Sequence, residues 1–209
     1  MKQPDSHPTL EPASASPPVH AAHRRGRPLI AVALLAMLAG LSACSQEQGA
    51  TAPQPVVAAA VDTERLIQAD SEPGNWMTHG RTYSEQRFSP LGAINADNVG
   101  SLGLAWYSDL DTRRGQEATP LVIDGTMYVS TAWSKVKALD AATGKLLWEY
   151  DPGVPGAKAV DACCDVVNRG VAAWKGRVYV GALDGRLIAL DAATGKELWS
   201  TQTTDTDWP

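Results

Sequence analysis

The stretch Ala138-Leu139-Asp140-Ala141-Ala142-Thr143-Gly144-Lys145-Leu146-Leu147-Trp148 is written a second time, with one change, as Ala189-Leu190-Asp191-Ala192-Ala193-Thr194-Gly195-Lys196-Glu197-Leu198-Trp199. The offset is 51 residues. It extends backwards without gaps, so that residues 124–148 lie on residues 175–199 with 13 of 25 positions identical. A fixed period of this length marks a repeat architecture. Each copy divides into four short runs separated by turn chemistry, with glycine supplying the positive φ that tight hairpins need. The first copy predicts strands over residues 120–123, 126–130, 135–140 and 146–150, the second over 171–174, 177–181, 186–190 and 197–201. Four antiparallel strands in about 40–50 residues form one blade of a β-propeller.

Trp148 and Trp199 end the repeat at the same phase, where a large flat side chain can wedge against the next blade rather than serve as a generic core aromatic. A weaker relative of the motif ends at Leu104-Ala105-Trp106 and predicts a final strand over residues 102–108 that lacks three partners before it. A propeller ring is commonly closed by pairing strands from the two chain ends, so the blade-mates of this orphan are expected far downstream. The expected fold is all-β, about two blades plus an orphan strand, the N-terminal part of a longer propeller truncated at Pro209.

Composition agrees with an ordinary globular domain: 209 residues, 44% hydrophobic and 20% charged. Seven Trp and five Tyr stand beside a single Phe, Phe88. From Cys44 onward, 14 basic side chains face 21 acidic ones, a formal charge of −7. This balance argues against nucleic acid, whose binding is led by basic phosphate contacts. The four histidines, His79 among them, are scattered and suggest no metal site.

The first 43 residues read as an export signal. His23-Arg24-Arg25-Gly26-Arg27 precedes an apolar run over residues 29–41, which is too short to span a membrane. The run ends in Leu41-Ser42-Ala43-Cys44, a lipobox pattern in which Cys44 becomes the lipidated N-terminus; conventional cleavage nearby is the alternative. Residues 44–73, rich in Ala, Pro, Gln and Val, read as a tether, with a short helix expected over residues 61–69. The expected compartment is the bacterial periplasm, with membrane attachment through the lipid alone.

Export permits disulfides. With Cys44 set aside, Cys163 and Cys164 are the remaining pair, either two thiols or a strained vicinal disulfide, since consecutive Cα atoms lie about 3.8 Å apart and ordinary disulfides prefer roughly 4.4–6.8 Å. Arg169 follows five residues on, ahead of a predicted strand, where its fork can meet a carboxylate. Glu117 stands ahead of the corresponding strand of the first repeat. The 51-residue offset maps Glu117 onto Asn168, so both segments approach the same end of their blades.

Six stretches carry a resemblance: Tyr83-Ser84-Glu85-Gln86-Arg87-Phe88-Ser89-Pro90-Leu91, Leu102-Gly103-Leu104-Ala105-Trp106-Tyr107, Glu117-Ala118-Thr119-Pro120-Leu121, Cys163-Cys164-Asp165-Val166-Val167-Asn168-Arg169-Gly170, and both Thr-Gly-Lys-x-Leu-Trp repeats. Over residues 74–209 the chain resembles the pyrroloquinoline-quinone (PQQ)-dependent alcohol dehydrogenases, quinohaemoprotein type. The resemblance implies an eight-bladed propeller with the quinone at its axis. Cys163 and Cys164 match the family's disulfide, against which the cofactor lies, and Glu117 and Arg169 match residues that contact it. It implies hydride transfer from a primary alcohol to the quinone, with a carboxylate base and Ca²⁺ as Lewis acid. A cytochrome c-type protein is the implied electron acceptor. The base, the metal ligands and the covering Trp are expected beyond Pro209, so no catalytic or metal-binding residue is assigned within this chain. No Cys-x-x-Cys-His occurs, and any haem c belongs to that later part.

Two other readings compete. A cofactor-free, lipid-anchored propeller scaffold of outer-membrane barrel assembly has the same repeat and lipobox, but no reason to carry Glu117, Cys163-Cys164 and Arg169. A sugar dehydrogenase of the same cofactor class generally lacks the paired cysteines. The 209-residue chain alone is expected to be inactive, because two blades cannot enclose the quinone.

Overall fold

The computed structural model describes residues 57–205. The export signal, Cys44 and the first part of the tether lie outside them. Among the described residues, the first repeat forms β1 (Leu121–Ile123), β2 (Thr126–Ser130), β3 (Val136–Asp140) and β4 (Leu146–Tyr150). After β5 (Cys163–Val166), the second repeat forms β6 (Ala172–Trp174), β7 (Arg177–Gly181), β8 (Arg186–Asp191) and β9 (Glu197–Gln202). Two antiparallel sheets result, β1-β2-β3-β4 and β6-β7-β8-β9, each strand beside its sequence neighbour. Every strand end of the two repeats falls within one residue of its predicted position.

Local chemistry explains the agreement. Asp124-Gly125 (φ +51° and +80°) and Lys175-Gly176 (+47° and +78°) each place two successive residues in the left-handed region. This is the type I′ turn, whose twist matches that of the strands it joins. Between the third and fourth strands the Asp140 carboxylate accepts the amides of Ala142 (3.1 Å) and Thr143 (2.8 Å) and the Thr143 hydroxyl (2.7 Å). Asp191 does the same with Ala193, Thr194 and the Thr194 hydroxyl. The repeated Asp-Ala-Ala-Thr-Gly is thus a self-hydrogen-bonded turn.

The sheets pack face to face through one core that includes Tyr128, Val136, Ala138 and Trp148 from the first blade and Val178, Val180, Ile188 and Leu190 from the second. Trp148 docks the blades as expected. Its indole N–H donates to the Ala192 carbonyl at 3.0 Å, and a Cβ on Gly195 would overlap its ring. One repeat earlier, the Trp106 indole donates to the Ala141 carbonyl at 3.1 Å and covers Gly144 in the same way. Each glycine also has positive φ, +72° at Gly144 and +71° at Gly195, so both the turn and the docking exclude a side chain.

Two features depart from the sequence reading. No strand forms over residues 102–108; Trp106 is anchored while Leu102, Leu104 and Tyr107 are exposed. An isolated strand has no ladder partner for its backbone groups. Residues 57–73, read as tether, are packed onto both hairpin turns. The Val61 and Ala59 carbonyls accept from Lys175 N (2.8 Å) and Gly176 N (3.1 Å), and both side chains are buried. The expected helix is α1 (Thr63–Ile67), capped where the Asp62 carboxylate accepts from Arg65 N at 2.9 Å. The Arg65 guanidinium then reaches Asp124 of the first hairpin at 2.7 Å.

Candidate functional site

The segments that lead into β1 and β6 meet side by side at one end of the blades. Thr119 N–H donates to the Arg169 carbonyl at 3.2 Å, and Thr119 forms a parallel bridge with Gly170. These positions differ by the 51 residues of the repeat, so equivalent backbone positions of adjacent blades touch. Gly170 has φ +138°, and a Cβ there would stand 3.2 Å from the Thr119 carbonyl oxygen. Glycine is what lets the two chains approach.

This backbone contact brings the side chains together. Glu117 Oε2 lies 3.3 Å from Arg169 Nε, an ion pair whose arginine remains 71% exposed. Arg114 Nη1 lies 2.7 Å from Asp165 Oδ1. Asp165 sits between the cysteines and Arg169 and takes a left-handed φ of +63°. Sequence reasoning anticipated that Glu117 and Arg169 approach one end. It missed the Arg114–Asp165 pair, although the same offset maps 114 onto 165.

Cys163 and Cys164 open β5, and both are exposed free thiols. Consecutive Cα atoms lie about 3.8 Å apart, closer than the roughly 4.4–6.8 Å of ordinary disulfides, so a bond between these two sulfurs would close a small strained ring. A hydrogen bond with Cys164, and repulsion between two sulfur charges, push the Cys163 thiol above its ordinary range, while the Arg169 charge pulls it back. The Cys163 sulfur is thus within electrostatic reach of the Arg169 charge. Glu117 and Arg169 form one polar pair drawn from the entries to two blades, and the cysteines lie in β5 on the segment that leads to Arg169.

Beside Arg169 opens a cleft of about 400 Å³, whose lining includes Ser134, Asn168, Gly181 and Leu183. Asn168 is a second residue that sequence reasoning did not single out. Its amide nitrogen donates to the Gly181 carbonyl (2.9 Å) and the Ser134 hydroxyl (3.3 Å), and its oxygen accepts from Gly170 N (3.1 Å). Among the described residues no group of three or more His, Cys, Asp or Glu side chains is placed to hold a metal ion. No described helix is long and apolar enough to cross a membrane.

The family described as "PQQ: Glucose/ethanol/alcohol dehydrogenase, beta-propeller domain" matches residues 76–204. The dehydrogenase subunit of alcohol dehydrogenase (quinone) from Komagataeibacter europaeus is 60% identical over 174 residues, covering 83% of this chain and 22% of that protein. The 1-butanol dehydrogenase (cytochrome c) of Thauera butanivorans is 57% identical over 130 residues, 62% of this chain and 19% of that protein. Among solved structures, the quinohemoprotein alcohol dehydrogenase ADHIIG of Pseudomonas putida HK5 superposes with a TM-score of 0.70 at 59% identity, over 71% of this chain and 22% of that one. The chain spans about a fifth of the length of these relatives. With its two docked four-stranded blades and a family match over most of the described residues, the chain belongs to the β-propeller family of PQQ-dependent glucose, ethanol and alcohol dehydrogenases.

Proposed function

We propose that this chain is the N-terminal portion of an exported alcohol dehydrogenase that uses PQQ, and that Glu117, Cys163, Cys164 and Arg169 form one wall of its cofactor site. The observation that carries the reading is the ion pair between Glu117 and Arg169, drawn from the segments that enter two adjacent blades at one end, with the cysteines shortly before Arg169 in the chain. The donor set fits the group. PQQ is flat, anionic and rimmed with oxygen, and the cluster offers an exposed guanidinium fork, a carboxylate and two polarisable sulfurs.

When bound, the quinone supplies the acceptor for a hydride from the alcohol carbon, with Ca²⁺ as Lewis acid. The residues of this chain bind and orient. Arg169 presents hydrogen-bond donors to an anionic or carbonyl oxygen, and Glu117 fixes the fork's direction by occupying its Nε edge. The cysteine pair, joined in the oxidising periplasm, presents a rigid face to a planar molecule. The base, the Ca²⁺ ligands, the covering Trp and any haem c lie, on this reading, beyond Pro209. Primary alcohols are the proposed substrates and a cytochrome c-type protein the acceptor, in keeping with the names of the relatives. A lipid on Cys44 holds the protein at the membrane. The cofactor-free scaffold is disfavoured, because its relatives would have no use for the cluster.

The test is titration of the full-length protein with PQQ and Ca²⁺, followed by assay of primary alcohols with an artificial dye. Alcohol-dependent dye reduction is the expected result. Its absence under every loading condition overturns the reading.

A further inference from the structure

We infer that Asn168 and Ser134 form a clamp that positions Arg169, a role that rests on the cofactor-site reading above. Arg169 is largely exposed, and Glu117 is the one charged side chain paired with it among the described residues. Beyond that one contact, where the side chain starts is set by its backbone. That backbone is gripped on both sides. The Asn168 oxygen accepts from Gly170 N and closes a turn around Arg169, while the Arg169 carbonyl accepts from Thr119 N. The Asn168 amide then spends both of its hydrogens on fixed partners, the Gly181 carbonyl at the end of β7 and the Ser134 hydroxyl between β2 and β3.

Ser134 supplies the second, independent observation. It is buried, and its hydroxyl accepts from Leu183 N (3.1 Å) as well as from Asn168, so one oxygen joins the two blades to the turn that carries Arg169. It stands at φ +59°, next to Trp133 at φ +64°. Two consecutive non-glycine residues in the left-handed region persist only where their surroundings over-determine them. One repeat later the equivalent position is Gly185, at φ +85°, the residue that this conformation favours. The first blade carries serine where glycine fits the backbone better, and the hydroxyl's two bonds account for the difference.

The consequence is a split between folding and positioning. In Ser134→Gly the backbone is relieved and the hydroxyl lost; in Asn168→Ala all three amide bonds are lost. In the full-length protein, both variants are expected to raise the PQQ dissociation constant, read by quenching of tryptophan fluorescence, by roughly tenfold, about what one lost hydrogen bond is worth. In an Arg169→Ala background the same changes should add nothing, because a residue acting through another cannot act once that other is gone. Amide exchange gives a readout without cofactor: Thr119 N–H, bonded to the Arg169 carbonyl, should exchange faster in both variants while Tyr179, in the middle of β7, does not. Additive effects with Arg169→Ala, or unchanged exchange at Thr119, overturn the clamp. If the parent protein binds no PQQ, the cofactor-site reading fails and Thr119 exchange alone decides the clamp. If Asn168→Ala does not fold, Ser134→Gly carries the test.

Discussion

At the scale of single residues, the site is an arrangement of charges and sulfurs whose behaviour can be checked one atom at a time. Cys163 titrates above the ordinary cysteine range, chiefly through its hydrogen bond with Cys164. A raised pKa leaves less thiolate at a given pH, and the thiolate is the nucleophile. In reduced protein, iodoacetamide should therefore modify Cys163 slowly at neutral pH, with a midpoint that moves down when Cys164 is replaced by Ala. An unmoved midpoint would show that the two sulfurs do not interact. At Arg169 the fork matters as well as the charge. Arg169→Lys keeps the cation but cannot meet Glu117 and an anionic oxygen in one plane, and PQQ affinity should fall by roughly tenfold in a fluorescence titration.

At the scale of elements, the repeated turn and the tryptophan that covers it hold the blades together. Trp148→Ala removes a buried indole and its bond to Ala192, a loss of about 3–5 kcal/mol by the usual cost of deleting a large aromatic. Gly195→Ala attacks the same contact from the other side and should cost about 1–3 kcal/mol through overpacking, before any strain from its positive φ. Denaturant titration of the two variants and their combination would show strong non-additivity, since they share one contact. A second link between blades is the hydrogen bond from Tyr150 on β4 to Glu197 on β9. Burial, and next the neighbouring carboxylate, push the Tyr150 hydroxyl up to about 12 from its ordinary 10.0. The stabilisation is complete below the unfolded value and lost as pH rises from about 10 to about 12, so a melting series across that window should slope downward, and Tyr150→Phe should flatten it. These elements were legible in the sequence because each strand is bounded by a turn with its own local signal: Asp-Gly, Lys-Gly or Asp-Ala-Ala-Thr-Gly. The path of residues 57–73 was not, because Ala59 and Val61 pair with a hairpin more than a hundred residues away. The Asn168–Ser134 clamp was hidden for the same reason, because it joins two side chains 34 residues apart in the chain to backbone groups of the second blade.

At the scale of the whole molecule, the two equivalent tryptophans provide an internal control. Trp148 has a blade beyond it and is 9% exposed; Trp199, in the same sequence and stacked on the equivalent tyrosine, is 42% exposed. The difference measures what a neighbouring blade does. Two blades give the cluster one wall, and the 209-residue chain by itself should therefore show no alcohol-dependent dye reduction even with PQQ and Ca²⁺ in excess. Turnover by the purified fragment would refute this. The contacts between equivalent positions carry a further meaning. Arg114 touches Asp165 and Thr119 touches Gly170, each residue facing its own counterpart in the adjoining module. Gene duplication that left arginine at both places would have set two cations against each other, and threonine at both would have forced the main chains apart. Modules that meet at the same point cannot stay identical there, so divergence between the copies is a condition of their assembly rather than drift.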